Sequence, residues 1–237
     1  MAHPTQMAFF TSVVERFPGH FAGRVLDVGS ADLLGGPHTL MTTDRYVGVD
    51  LARQANVDVA ARGEALPFPS RCFDVAMSSE CFEHAPEWRS ILAAMVDATR
   101  PGGLVVISAA ATGRLEHGTT RSDGGFASPA TVTQGQEWYR NLSRRQIWRA
   151  ILGRRLTARL VFVDRAACDL YVAALVRPAR SADVAALRDL RRHVRADRRP
   201  NRGRRPLDER IVLRVAGDRG LASAKALWMG WRRVTGR

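Results

Sequence analysis

Residues 24–36, RVLDVGSADLLGG, constrain this chain more than any other stretch. Val25, Leu26 and Val28 around Asp27 predict a buried strand, and Gly29, Ser30 and Ala31 predict the turn that ends it. A second apolar run, RYVGVDL, carries Asp50 near its end, twenty-three residues after Asp27. A strand, a glycine-bearing turn and an acid about 20 residues further on describe a doubly wound α/β sheet that holds a nucleoside. The glycine lets backbone approach the ligand. The second acid can accept hydrogen bonds from both ribose hydroxyls.

The rest of the chain continues that rhythm. Residues 7–17 have helical spacing and stop before Pro18-Gly19. Strands are predicted at 24–29, 45–51, 57–61 and 73–79, and again over GLVVISAA. Between the last two, Pro86 precedes Trp88, Ile91, Leu92, Met95 and Val96 on one face, a helix that stops at Arg100-Pro101-Gly102-Gly103. Residues 111–141 are polar and break the alternation; a loop this long in a compact domain is either functional or disordered. A helix over 142–154 follows, with Asn141 as its expected N-cap, then RLVFVDRAA and DLYVAALVR as a hairpin. The predicted fold is Rossmann-like: a doubly wound, mostly parallel, seven-stranded sheet with an antiparallel edge strand.

Charge divides the chain. Residues 1–176 hold 18 basic and 17 acidic side chains, whereas 177–237 hold 18 against 6. Residues 1–177 are therefore expected to form the ligand-binding domain, and 178–237 a basic helical extension. All but Lys225 of the basic residues are arginine, in a chain rich in Ala, Gly and Val. Arginine abundance is then partly a coding bias, and its location says more than its amount. Cys72, Cys81 and Cys168 never stand in CxxC spacing, which argues against disulfides and zinc. With no run of 18 apolar residues and no basic-then-apolar start, the expected location is cytoplasmic.

The blocks VLDVGS, YVGVD, ALPFPSRCFDVAMSSECFEH and RPGGLVVIS, in that order, resemble class I S-adenosylmethionine-dependent methyltransferases, specifically the methyltransferase type 11 group. The resemblance spans roughly residues 7–177. EHGTTRS and EWYRNLS more loosely resemble a bacterial subgroup found with cell-surface glycan and natural-product pathways. The resemblance implies S-adenosylmethionine as cofactor. Asp27 would orient the turn and approach the methionine amino group. Gly29, Ser30 and Ala31 would pass under the ribose and methionine, and Asp50, with Leu51 beside it, would hold the ribose hydroxyls. Glu64 and Ala65 would edge the adenine, and Ser79 and Glu80 would sit where methionine meets acceptor. The pattern is departed from in two places: Ala31 and Leu33 stand where the turn has glycine, with Gly35 and Gly36 following, and Arg62 stands near the usual adenine-binding acid. The turn must run differently or be carried by the later glycines.

Methyl transfer needs alignment and, for a hydroxyl acceptor, loss of a proton. His84 and His117 are the candidate catalytic residues, with Glu83, Glu116 and Tyr139 in support. Each histidine has a plainer reading, His84 as a helix cap and His117 as a loop residue. The pairs Glu83-His84 and Glu116-His117 lack matching oxygen ligands in sequence, so no metal site is expected. The expected reaction is O-methylation of a sugar, a cell-surface glycan precursor or a natural product, with a small molecule or glycan as acceptor. RNA methylation through the basic tail and a non-catalytic cofactor-fold binding protein are the alternatives. The tail, with Leu221, Ala224, Trp228 and Trp231 at helical spacing among basic residues, suits a solvated helix, an anionic membrane surface, a second subunit or, least well, nucleic acid.

Overall fold

The structure, a computed structural model, describes residues 4–32, 35–122 and 127–197. Leu33 and the extension beyond residue 197, with its tryptophans, lie outside the described residues. Seven strands form one sheet: β1 (Val25–Val28), β2 (Tyr46–Asp50), β3 (Val59–Ala60), β4 (Phe73–Ser79), β5 (Thr99–Ala110), β6 (Leu156–Asp164) and β7 (Asp169–Val176). Their spatial order is β3-β2-β1-β4-β5-β7-β6. The first five are parallel neighbours, and β7 runs against both β5 and the edge strand β6. The sheet has the predicted mixed architecture, with its antiparallel hairpin at one edge.

Every residue of β1 and β7 is buried, as strands covered on both faces require. One face is covered by α3 (Trp88–Ala98) and α5 (Arg144–Ile151), which bring Trp88, Ile91, Leu92, Met95, Ile147 and Ile151 onto Leu26, Val28, Val105 and Val172. The other is covered by α1 (Pro4–Arg16), the short α2 (Pro18–Phe21) and α6 (Ser181–Asp197). There Phe9, Phe10, Val13, Leu187, Leu190 and Val194 pack on Val75, Val106 and Leu175.

Three boundaries differ from the sequence reading. The domain boundary drawn at 177/178 cuts through packed structure, because α6 buries its apolar stripe on the sheet and ties to α1 through Arg16 and Asp189, 2.9 Å apart. A stripe of Leu187, Leu190 and Val194 needs a partner face, and β6–β7 with α1 supplies it. The N-cap of α5 is Ser143, which forms a capping box with Gln146; Asn141 instead donates to the Arg114 carbonyl at 2.8 Å. Segment 111–141 contains α4 (Pro129–Gln134), capped by Ser128, and its ends are joined where Leu142 N–H donates to Ala110 at 2.8 Å.

Removing the Leu190 side chain, fully buried under α6, should cost about 2–5 kcal/mol in urea unfolding. A change within about 0.5 kcal/mol, as for surface sites, would mean that α6 does not belong to the core.

Candidate functional site

Open α/β sheets bind ligands outside the carboxyl ends of their strands, where the strand order reverses. Here reversal occurs between β1 and β4, and a cleft of about 360 Å³ opens at that point. Asp27, Gly29, Ser30, Ala31, Asp50, Leu51, Glu64, Ser79, Glu80, His84 and His117 all line it. Ala65 does not; it faces a separate shallow pocket beside α3.

The turn after β1 explains the tolerance of Ala31. Gly29 takes φ +79°, and a Cβ there would stand 2.5 Å from the Cβ of Cys81, so glycine is required at this position. Ala31 needs no such freedom, since its φ is not positive, and its N–H is held by Asp50 Oδ2 at 3.0 Å. The next left-handed residue among the described residues is Gly35, whose N–H is tied to Asp32. Among the described residues of the turn, Gly29 and Gly35 are the ones whose positive φ calls for glycine.

Asp50 uses one oxygen on Ala31 and the other on its neighbour, the Leu51 N–H, at 2.7 Å. Each carboxylate oxygen keeps a second lone pair for a ligand. Burial raises the Asp50 carboxyl, opposed by these two backbone hydrogen bonds. Asp27 is also buried. Its Oδ2 accepts from the Tyr46 hydroxyl at 2.8 Å, and its Oδ1 has no hydrogen-bond partner among the described residues. Burial raises Asp27 to about 7, against the lowering effect of Tyr46 and with a further push from Asp50. An acid poised there with an unused oxygen suits a cationic ligand group. Glu64 is engaged by the Arg62 guanidinium, so the departing residue and the candidate adenine-edge acid form one ion pair at the rim.

The opposite wall comes from two separate segments. After β4, Glu80 holds a left-handed φ of +52°, a strained backbone of the kind that gathers at functional sites. The 3-10 turn Phe82–His84 then buries Glu83 completely. His84 gives no side-chain cap to α3, and its imidazole lines the cleft. After β5 the chain returns His117 to the same place: the two imidazoles cross at 82° with centroids 5.0 Å apart, and Tyr139 packs on both. Burial lowers His84 to about 3, with His117 adding to it, and burial lowers His117 to about 4. Both rings are neutral near pH 7. Burial, and then Glu80, raises Glu83 well above the usual carboxyl range.

Glu116, expected to support His117, turns away to Arg121 and Thr119. Tyr139 braces the loop instead, donating to the Leu115 carbonyl at 2.9 Å. Gln6 of α1 also lines the cleft and donates to Ser79 and Ser108, at 2.5 and 2.7 Å. A glutamine in an apolar helical stripe was the available signal for it. Gly29→Ala should cost about 1–3 kcal/mol in thermal or urea unfolding through the positive φ alone, with the Cys81 clash added. Unchanged stability would contradict this turn geometry.

Residues 26–107 match the family described as a methyltransferase domain, type 11. A Mycobacterium avium (strain 104) protein described as an uncharacterized methyltransferase is 33% identical over 103 residues, covering 38% of this chain and 35% of that one. A second of the same description, from Mycobacterium sp. (strain JLS), is 38% identical over 114 residues, covering 41% and 42%. The chain thus spans well under half the length of these curated relatives. The crystal structure of the 4+2 cyclase SpnF superposes with a TM-score of 0.50 at 15% identity, over 74% of this chain and 82% of that one, a likeness of fold alone. The family match and the relatives bear out the resemblance read from the motifs.

Proposed function

We propose, for a chain whose residues 26–107 form a class I methyltransferase domain of the type 11 group, that it transfers the methyl group of S-adenosylmethionine to a hydroxyl of a sugar, glycan precursor or natural product. The observation that carries this reading is the cleft at the β1/β4 reversal, which Asp27, Gly29 and Asp50 line together. In this reading Asp50 accepts from the ribose hydroxyls, Gly29, Ser30 and Ala31 pass beneath the ribose and methionine, and Asp27 meets the methionine amino group. Glu64, paired with Arg62, edges the adenine, while Ser79 and Glu80 flank the sulfonium.

The donor is already activated, so the protein contributes chiefly alignment, with removal of the hydroxyl proton worth about 10²–10⁴-fold. The wall formed by His84 and His117 faces the cleft where the acceptor would enter, between the ends of β4 and β5. These two are the proposed acceptor-activating residues. During transfer the acceptor oxygen attacks the methyl carbon, the carbon–sulfur bond breaks onto sulfur, and the hydroxyl proton leaves to the activating group or to solvent.

Asp27 makes the reading testable by pH. A cationic amino group binds the ionised carboxylate, and the group titrates near 7. Affinity for S-adenosylmethionine should therefore strengthen about tenfold from pH 6 to pH 8, as Asp27 loses its proton. In Asp27→Asn that dependence should flatten and affinity should fall. Mass-spectrometric detection of S-adenosylhomocysteine and methylated product, with nucleotide sugars as first acceptors, checks the transfer itself. Equal pH profiles in both proteins would remove Asp27 from the cofactor site.

A further inference from the structure

We propose that Glu83, His84 and His117 bind a divalent first-row transition-metal cation at the acceptor wall of the cleft. Each of the three offers a ligand atom, and these atoms all lie within 4.8 Å of one another. Three ligands about 2.0–2.2 Å from a cation in a tetrahedral array stand about 3.3–3.6 Å apart, so side-chain rotations that draw the three atoms together by about an ångström close the set. His117, whose side chain is 36% exposed, has room to make them.

The hydrogen bonding around His117 points the same way. Its Nδ1 lies 3.1 Å from the Leu115 carbonyl oxygen, which can only accept, so Nδ1 carries the proton and Nε2 presents a lone pair. That Nε2 faces Glu83 Oε1 at 3.7 Å, too far for a hydrogen bond. Two atoms that carry lone pairs thus face each other across a gap, at a carboxyl group that is wholly buried. A cation between them turns this juxtaposition from unfavourable to favourable. His84 is 9% exposed, and its Nδ1 has no hydrogen-bond partner among the described residues, a costly state that a metal bond would relieve.

The surrounding residues hold the set as outer-shell groups hold metal ligands. Tyr139 donates to the same Leu115 carbonyl that fixes His117, and the Ala110 N–H fixes Glu83 Oε1 at 3.1 Å. Gly118 takes φ +70° against the His84 ring, where a Cβ would come within 2.7 Å of Cε1. Arg114, a cation on this wall, is directed to Asp169 and the Ala167 carbonyl, 2.9 and 3.0 Å away. Spacing alone hides the set, because His117 pairs with a glutamate from another segment and not with its neighbour Glu116.

Two imidazoles and one carboxylate suit zinc, iron, cobalt or nickel and leave open positions toward the cleft. The role of the ion, though not its binding, rests on the methyl-transfer reading. Held there by Glu83, His84 and His117, the ion would act as a Lewis acid that eases loss of the acceptor hydroxyl's proton to solvent.

The test uses the full chain, untagged, stripped of metal and free of S-adenosylmethionine. Co²⁺ is titrated by calorimetry and by its visible d–d absorption, with Zn²⁺ as competitor. One equivalent should bind, and His117→Ala and Glu83→Gln should each weaken binding about tenfold or more. His193→Ala, on the exposed face of α6, should leave it unchanged. Circular dichroism confirms that each variant is folded; Glu83→Gln preserves shape should the alanine variant unfold. No binding by folded wild type, or binding unaffected by both substitutions, overturns the site. Failure of the cofactor reading would leave this titration unaltered.

Discussion

The Asp50 carboxylate is the joint on which the cleft depends. β1 and β2 are parallel neighbours, and the turns that leave them are tied by Asp50 together with hydrogen bonds from Gly29 and Ser30 to Val49 and between Ser30 and Asn56. One oxygen of Asp50 holds the Ala31 amide of the first turn and the other holds the Leu51 amide of the second. The glycine turn therefore stays open beneath a pair of acceptor oxygens. Burial makes the arrangement costly for a charged group and, for the same reason, strengthens the hydrogen bonds it makes. Tyr46 extends the bracing to Asp27, and Asn56 ties Tyr46 in turn to the Ser30 carbonyl. The cofactor side of the cleft is thus one hydrogen-bonded unit built from adjacent strands.

That side was legible in the sequence because its determinants are local. A strand, a glycine whose φ must be positive and an acid at the end of the next strand occupy fixed offsets, so Asp27, Gly29 and Asp50 could be placed from spacing. Helix α3 was equally legible from its apolar stripe, and all five of its predicted inward residues are buried. Ala65 fell outside the cleft because the chain turns away after Glu64 to run beside α3. The acceptor wall was less legible for a physical reason. His84 and His117 were identifiable singly, but what joins them is the parallel register of β4 and β5, which no short window contains. Gln6 enters from the first helix, and its role depends on Ser79 and Ser108 of neighbouring strands.

The C-terminal part shows how charge can mask packing. Arginines drew attention to a tail beyond Pro178, yet the first 17-residue helix of that region follows the rule of any amphipathic helix and closes the second core. Its arginines occupy the outer face. Among the described residues no helix is long and apolar enough to cross a membrane, and the polarity of this region is that of a covering layer.

The central claim is that the cleft beside Asp50 holds S-adenosylmethionine, and calorimetric titration of that cofactor into wild type and Asp50→Ala tests it most directly. The wild type should bind with micromolar affinity, and a folded Asp50→Ala protein should lose most of that affinity with the ribose contacts and the Ala31 tether gone. Equal affinity in the two proteins, or no binding by folded wild type, would contradict that claim.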